Sequence, residues 1–156
     1  MRMKYLSTLS VAALMTAGGA LADGHGPLKI GVLATLEGTY TALGEDGVRG
    51  LKTAMAVMGE EAGGKAVEII YQSTDASPDS AVRGARKLVE QDGVDIVIGP
   101  LSGSEGIAIR DYSKTQPGTT FINGISGAME TTYVTPSDNF FRFNMDGAQW
   151  SAGLGQ

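Results

Sequence analysis

The sequence contains no cysteine and a single histidine, His25. Without cysteine the chain can form no disulfide, offers no thiolate nucleophile and has no site for a lipid-modified cysteine near its N-terminus. His25 falls in an N-terminal stretch, where functional residues are seldom placed. We therefore expect no histidine-based acid, base or metal site, and predict neither a metal ion nor a cofactor.

The short signatures of many enzymes and nucleotide-binding proteins are missing as well. There is no phosphate-binding loop of the form G-x-x-x-x-G-K-[ST] and no G-x-S-x-G nucleophile motif. Gly99, Gly103 and Gly106 do not have the G-x-G-x-x-G spacing of dinucleotide-binding folds. Asp75 and Asp79 stand beside a predicted turn and helix start, where turn formation or capping is the expected role. The sequence thus favours a protein that is not an enzyme.

Positive charge is also scarce. The 156 residues include 12 Lys and Arg against 17 Asp and Glu, which gives a net charge of −5, and the basic residues form no cluster. An acidic chain of this kind is a poor nucleic-acid binder, because phosphate contacts need clustered positive charge.

The N-terminus has the pattern of an export signal. Arg2 and Lys4 precede a short apolar run that ends at Ala20-Leu21-Ala22. This order is typical of a cleavable secretory signal peptide, so we expect residues 1–22 to be removed after Ala22 and the product to be periplasmic. A membrane anchor is the alternative, but the run is short for a bilayer span.

After residue 22, apolar strand patterns alternate with amphipathic helix patterns. Short apolar runs predict strands at 28–34, 67–71, 94–100, 119–123 and 139–143. Apolar residues at three- and four-residue spacing predict a helix around 48–58, ended by Gly63-Gly64, and another from Ser77-Pro78 to Asp92-Gly93. A third helix is expected from a Ser104 cap to about Lys114, and a fourth from Gly147. This alternation predicts an α/β fold, with a parallel sheet and helices on both faces.

Three predicted loops at the carboxyl ends of strands are rich in Gly, Ser and Thr. They are residues 36–43, 100–105 and 124–129. Ligands of parallel α/β sheets bind at this edge, and small loops before helices offer backbone N–H groups to an anion. Ordinary tight turns use the same residue types, so both interpretations stay open here.

At these loops the chain resembles the ABC-transporter solute-binding proteins related to the leucine/isoleucine/valine-binding protein. The resemblance covers essentially the whole chain after residue 22 and depends on the order of several short stretches. These are Lys29-Ile30-Gly31-Val32, Glu37-Gly38, Leu43-Gly44, Asp75 with Ser77-Pro78, the run from Val97 to Ser104, Phe121-Ile122-Asn123-Gly124, Ser126-Gly127-Ala128 and Phe141-Arg142-Phe143.

The resemblance implies a periplasmic-binding-protein type I architecture, in which two Rossmann-like α/β lobes clamp a ligand in the cleft between them. It implies that residues 23–145 form the N-terminal lobe and that 146–156 begin the crossover helix to a second lobe. Members of the family are more than twice this length, so we expect the chain to be an N-terminal fragment that lacks the second lobe.

The family also implies where a ligand is held. In its amino-acid-binding members, the loops after the third and fourth strands bind the carboxylate and ammonium groups. By position, the expected site residues are Ser102, Gly103, Ser104, Ser126, Gly127 and Ala128, with Tyr40 or Leu43 as an apolar wall. Gly103 replaces an expected ligating Ser, Gly127 an expected Thr and Leu43 an expected aromatic residue. An amino acid, an amide and a small aromatic or aliphatic acid therefore all remain open as ligands.

The implied function is capture of a solute in the periplasm and its delivery to the permease subunits of an ABC transporter. No membrane insertion is expected after signal cleavage. A ligand-sensing module of the same fold is the main alternative, because fold does not decide function. An exported α/β enzyme is a third possibility, which the motifs do not support.

Overall fold

The structure is a computed structural model that describes residues 26–155, so the predicted signal peptide and His25 lie outside the described residues. Its strands are β1 (Leu28–Thr35), β2 (Glu61–Ala62), β3 (Lys65–Thr74), β4 (Ile96–Ile98), β5 (Thr120–Asn123) and β6 (Phe140–Arg142). Its α-helices are α1 (Thr41–Met58), α2 (Pro78–Arg86), α3 (Gly103–Ser113) and α4 (Gly147–Ser151), with π-helical turns at Lys87–Gln91 and Glu130–Val134.

These strands form one sheet in the order β2-β3-β1-β4-β5-β6. Every pairing is parallel except that of β2 with β3. Helix α1 packs on one face of the sheet, while α2 and α3 pack on the other, where Leu88 of the π-helical turn after α2 contacts Gly31. The predicted α/β class, with a parallel sheet covered on both faces, is therefore confirmed.

The hydrophobic core lies between the sheet and helices α2 and α3. Strand residues that point to this face alternate with residues that point to the other, as the two-residue period of a strand requires. The largest buried apolar side chains of the cluster are Leu33, Leu88, Ile109, Tyr112, Phe121 and Phe140. Tyr112 and Phe121 meet edge to face, with ring centroids 6.0 Å apart and planes at 89°, a preferred aromatic geometry.

The opposite face of the sheet is less completely covered. Register places Val32, Ile98, Ile122 and Phe141 in one row across β1, β4, β5 and β6 on this face. Helix α1 packs on β1, and Phe141 at the far end of the row is 47% exposed.

The glycine pair after α1 has a different role from the one predicted. The helix ends at Met58, before Gly59, and Gly63-Gly64 instead connects β2 to β3. Both glycines have positive φ, 59° and 79°, as a two-residue hairpin turn requires. The prediction missed β2. Strand β3 is longer than the predicted 67–71 at both ends, because the turn extends its pairing to Lys65 and its pairing with β1 continues to Thr74.

The helix starts confirm one predicted cap and correct another. Ser77 caps α2, whose first residue is Pro78. The Ser77 hydroxyl accepts the Ser80 N–H at 3.3 Å. Helix α3 is capped by Ser102, whereas Ser104 lies inside the first turn. The predicted cap was wrong by two residues. Glu105 stands three residues after Ser102 and completes a capping box with it, a spacing that the prediction did not use. In residues 26–155 no helix is both long and apolar enough to cross a membrane.

Candidate ligand-binding site

The candidate site lies where β1, β4 and β5 end. These strands are neighbours in the sheet, so the loops that follow them meet at one edge, as in other parallel α/β folds. The three predicted loops are therefore brought together, and each of the eight predicted site residues falls on or beside one of them.

The loop after β4 is organised by a reciprocal cap on α3. The Ser102 hydroxyl accepts the Glu105 N–H at 3.3 Å, and Glu105 Oε2 accepts the Ser102 N–H at 2.8 Å. The side chain of Glu105 is fully buried, and its Oε1 has no hydrogen-bond partner among residues 26–155. A negative charge in the first turn is favoured by the helix dipole, so the box holds the start of α3 in a fixed orientation.

Ser102 also connects this loop to the one after β3. Its hydroxyl donates to the carbonyl oxygen of Ala76 at 3.0 Å and lies 3.3 Å from the Ser104 hydroxyl. Asp75, next to Ala76, accepts the Ser77 N–H at 2.9 Å. The hydroxyl and the backbone N–H of Ser77 hold the pKa of Asp75 below its usual value. These contacts use the Ser102 hydroxyl for structure, which leaves the exposed Ser104 as the hydroxyl of this loop that faces solvent.

The loop after β5 packs directly on the start of α3. Gly103 faces Ala128, since a Cβ on Gly103 would lie 3.8 Å from the Cβ of Ala128. Ser126 is fully buried beside Gly106 and accepts the Ala128 N–H at 3.4 Å. The Ser102–Ser104 and Ser126–Ala128 segments predicted as site residues are therefore adjacent.

Arg142, at the end of β6, is hydrogen-bonded to the loop after β5. Its guanidinium donates to the carbonyl oxygens of Ser126 at 2.5 Å and Ala128 at 2.6 Å. It also donates to the hydroxyls of Thr131 at 2.8 Å and Thr132 at 2.9 Å. A guanidinium has several donors in a fixed plane, so one side chain can fix several acceptors at once. Arg142 thereby determines the orientation of the peptide groups in this loop.

Several backbone N–H groups of the two loops remain available. Those of Gly103, Ser104 and Gly127, three residues that are not fully buried, have no hydrogen-bond acceptor within the described part of the chain. The first two belong to the first turn of α3, where an N–H group has no helical acceptor. Such groups favour an anion, because each contributes a partial positive charge.

An apolar hollow of about 150 Å³ adjoins these loops, between α1 and the ends of β1 and β4. Leu43, Leu101 and Ile125 line it together with Pro100 and Gly124. The predicted wall residue Leu43 is thus part of the hollow. Tyr40 is 48% exposed and does not contribute to its lining.

The start of α4 contacts the loop after β5. The N–H of Gly147 donates to the Gly127 carbonyl at 2.8 Å. Asp146, which caps α4, accepts the Gln149 N–H at 2.9 Å. That bond lowers the pKa of Asp146, and the Tyr133 hydroxyl acts in the same direction. The indole of Trp150 consequently lies against Gly127.

Sequence reasoning missed three residues that shape this site, namely Leu101, Arg142 and Trp150. Leu101 precedes the predicted site residue Ser102, and its apolar character is the available signal. Ile125 lies within the predicted loop 124–129, although it is not among the eight predicted site residues. Arg142 belongs to the Phe141-Arg142-Phe143 stretch of the resemblance and Trp150 to the helix predicted from Gly147, but neither is predicted to act in the site. No local pattern indicates that either side chain turns back to the loop after β5.

Comparison with known proteins agrees with this architecture. A family model described as periplasmic binding protein matches residues 27–156. A relative in Brucella suis, Leu/Ile/Val-binding protein homolog 7, is 31% identical over 112 residues, which are 71% of this chain and 27% of the relative.

Two solved structures are similar. An ABC transporter substrate-binding protein from Sphaerobacter thermophilus is 33% identical, with a TM-score of 0.68 over 74% of this chain and 32% of that one. An ABC transporter solute-binding protein from R. palustris, in complex with benzoate, is 27% identical, with a TM-score of 0.73 over 80% of this chain and 34% of that one. The chain spans about a third or less of each of these proteins. Because the family model matches residues 27–156, the chain belongs to the periplasmic binding protein family.

Proposed function

We propose that this chain is the N-terminal lobe of the solute-binding component of an ABC uptake transporter. In this proposal it binds the carboxylate of a small molecule at the loops after β4 and β5. The observation that carries the proposal is the set of backbone N–H groups at Gly103, Ser104 and Gly127, which lack acceptors among residues 26–155.

The backbone N–H groups of these loops are uncharged donors that can bind an anion. Backbone N–H groups hold a carboxylate through charge-assisted hydrogen bonds, which are stronger than bonds between neutral groups. They require no basic side chain, in keeping with the acidic net charge of the chain. The hydroxyl of Ser104 is exposed beside them and can donate one more hydrogen bond.

The neighbouring hollow is suited to the apolar part of such a ligand. Its lining by Leu43, Leu101 and Ile125 is apolar, and ligand sites combine such surfaces with a few polar groups that fix orientation. The comparisons support this class of ligand, because one relative is named as a homolog of a Leu/Ile/Val-binding protein and one similar structure is a complex with benzoate, and all four of these molecules carry a carboxylate. The assembled groups are suited to binding and not to making or breaking bonds, so we propose no enzymatic activity.

The proposal includes the wider setting of the family. Residues 1–22 direct export to the periplasm, residues 23–145 form the lobe, and residues 146–156 begin the connection to a second lobe. Permease subunits of the transporter are the protein partners. N-terminal sequencing of periplasmic material is expected to give Asp23 as the first residue, and recovery of Met1 in the membrane fraction would contradict the export step.

Ligand-observed NMR on the exported chain tests binding. Because a single lobe encloses a ligand on one side only, the method must detect weak binding at millimolar ligand. Benzoate and leucine are compared with benzamide, which has the shape of benzoate without its charge. We expect saturation transfer to benzoate, and at least tenfold weaker binding of benzamide. Equal binding of the two would show that the backbone N–H groups do not recognise a carboxylate, and absence of binding by every carboxylate would contradict the function.

A further inference from the structure

The contact between Gly127 and Trp150 suggests which carboxylates the site prefers. A Cβ placed on Gly127 would lie 2.5 Å from Cζ3, 2.9 Å from Cη2 and 3.2 Å from Cε3 of the Trp150 indole. The six-membered ring of the indole therefore occupies the space that any side chain at position 127 would fill. The indole of Trp150 thus lies where a residue other than glycine at position 127 would have its own side chain.

The backbone that carries the indole is bonded to the loop after β5 and capped at its first turn. The Gly147 N–H donates to the Gly127 carbonyl at 2.8 Å, so the helix that carries Trp150 is bonded to the residue that the indole covers. The reciprocal cap between Asp146 and Gln149, with bonds of 2.9 and 3.0 Å, fixes the first turn of that helix. A ring carried on an ordered backbone loses less freedom when a ligand packs on it than a ring on a flexible segment.

Half of the indole surface remains open. Trp150 is 50% exposed among the described residues, although its ring edge touches Gly127, whose backbone N–H is one of the proposed donors. An anion bound at the Gly127 N–H would therefore have the open part of the indole beside it, in addition to the apolar hollow lined by Leu43, Leu101 and Ile125.

We propose that Trp150 is a specificity-determining residue that selects aromatic carboxylates over aliphatic ones. This inference depends on the proposed function, since it assumes that the loop after β5 binds a carboxylate. A planar aromatic acid can stack on, or meet edge-on, the exposed part of the indole, whereas a saturated ring of the same size gains only apolar contact. Such an aromatic pair corresponds to a preference of about threefold to tenfold.

The test compares benzoate with cyclohexanecarboxylate, which has the same charge and number of carbon atoms but no π system. Trp150 is the only tryptophan of the chain, so its fluorescence reports directly on contact with the ligand. We expect benzoate to change the fluorescence and to bind about threefold to tenfold more tightly than cyclohexanecarboxylate by NMR titration. This measurement uses the unaltered chain and does not depend on the folding of any variant.

Two variants and a control complete the experiment. Trp150→Leu is expected to abolish the preference, and Trp150→Phe to retain it. Phe143→Leu removes an aromatic side chain that is 81% exposed and should leave the preference unchanged. If both acids bind equally to the unaltered chain, or if Trp150→Leu keeps the preference, the role of Trp150 is wrong while carboxylate binding stands. If neither acid binds, the proposed function itself fails.

Discussion

The hydroxyl of Ser126 lies directly against the backbone of Gly106. A Cβ on Gly106 would be 2.2 Å from Ser126 Oγ and 2.9 Å from Ser126 Cβ. Ser126 is fully buried, so its side chain has no free space into which to turn. The loop after β5 can therefore pack on α3 only because position 106 has no side chain.

The first prediction concerns this contact. Gly106→Ala is expected to lower the free energy of unfolding by about 1–3 kcal/mol, because the added methyl group overpacks a filled space. Gly50→Ala is the matched control, since a Cβ on Gly50 meets nothing within 4 Å and alanine favours the helix. Urea denaturation measures both variants. Substituting Ser126→Gly in the Gly106→Ala background should recover part of the loss, and an additive double variant would show that the two residues do not interact.

The second prediction concerns Arg142. Arg142→Lys keeps the positive charge, but one ammonium group cannot replace the planar set of donors that binds both loop carbonyls. We expect a loss of about 1–3 kcal/mol in unfolding free energy, from unsatisfied acceptors, and weaker benzoate binding by NMR titration. Arg83→Lys, at an exposed position on α2, controls for the exchange itself. Unchanged benzoate affinity in Arg142→Lys would indicate that the orientation of this loop does not affect binding.

The third prediction concerns access to the backbone of the loop after β4. Gly103→Val places a branched side chain beside Ala128, in the first turn of α3, whose N–H groups are the proposed donors. We expect carboxylate binding to fall at least tenfold while the melting temperature changes little, because the added Cβ itself has only an ordinary contact. Gly50→Val serves as the control for introducing valine into a helix. Binding equal to that of the unaltered chain would place the ligand elsewhere.

The fourth prediction concerns pH and the cap of α4. The backbone N–H of Gln149 lowers the pKa of Asp146 in the folded chain, below its value of about 4 in the unfolded chain. The stability that this difference contributes is therefore present above the unfolded pKa and is lost as the pH falls through the folded pKa. Asp146→Asn keeps a capping oxygen but cannot titrate.

The unaltered chain should accordingly lose its stability advantage over Asp146→Asn as the pH falls from about 5 towards 2. Thermal unfolding, followed by circular dichroism across this range, measures the difference. An advantage that stays constant with pH would show that Asp146 has the same pKa in the folded and unfolded chains.

The general fold was predictable because its signals are local. The apolar run predicted as a strand at 28–34 and the Ser77-Pro78 helix start depend on neighbouring residues only, and the structure confirms both, with β1 one residue longer. The order and spacing of several short stretches were sufficient to indicate the family, which the comparisons confirm. The parallel sheet followed from alternation of strands and helices, since parallel strands need a crossover between them.

The details of the site were less predictable because they depend on contacts between distant residues. Arg142 acts on Ser126 across 16 positions of sequence, and Ser102 reaches Ala76 across 26. Nothing in either local stretch indicates these partners. The same limit explains β2, whose two residues, Glu61 and Ala62, carry no apolar pattern and form a strand only because a turn pairs them with β3.

That short strand also has a consequence for self-association. An open edge of a sheet displays unpaired peptide groups, and strands of other molecules can add to it. On the β3 side, β2 covers the beginning of the edge with a segment two residues long whose Glu61 is charged and exposed. A segment this short offers an incoming strand few hydrogen bonds, so this part of the sheet edge is a poor template for pairing with another molecule.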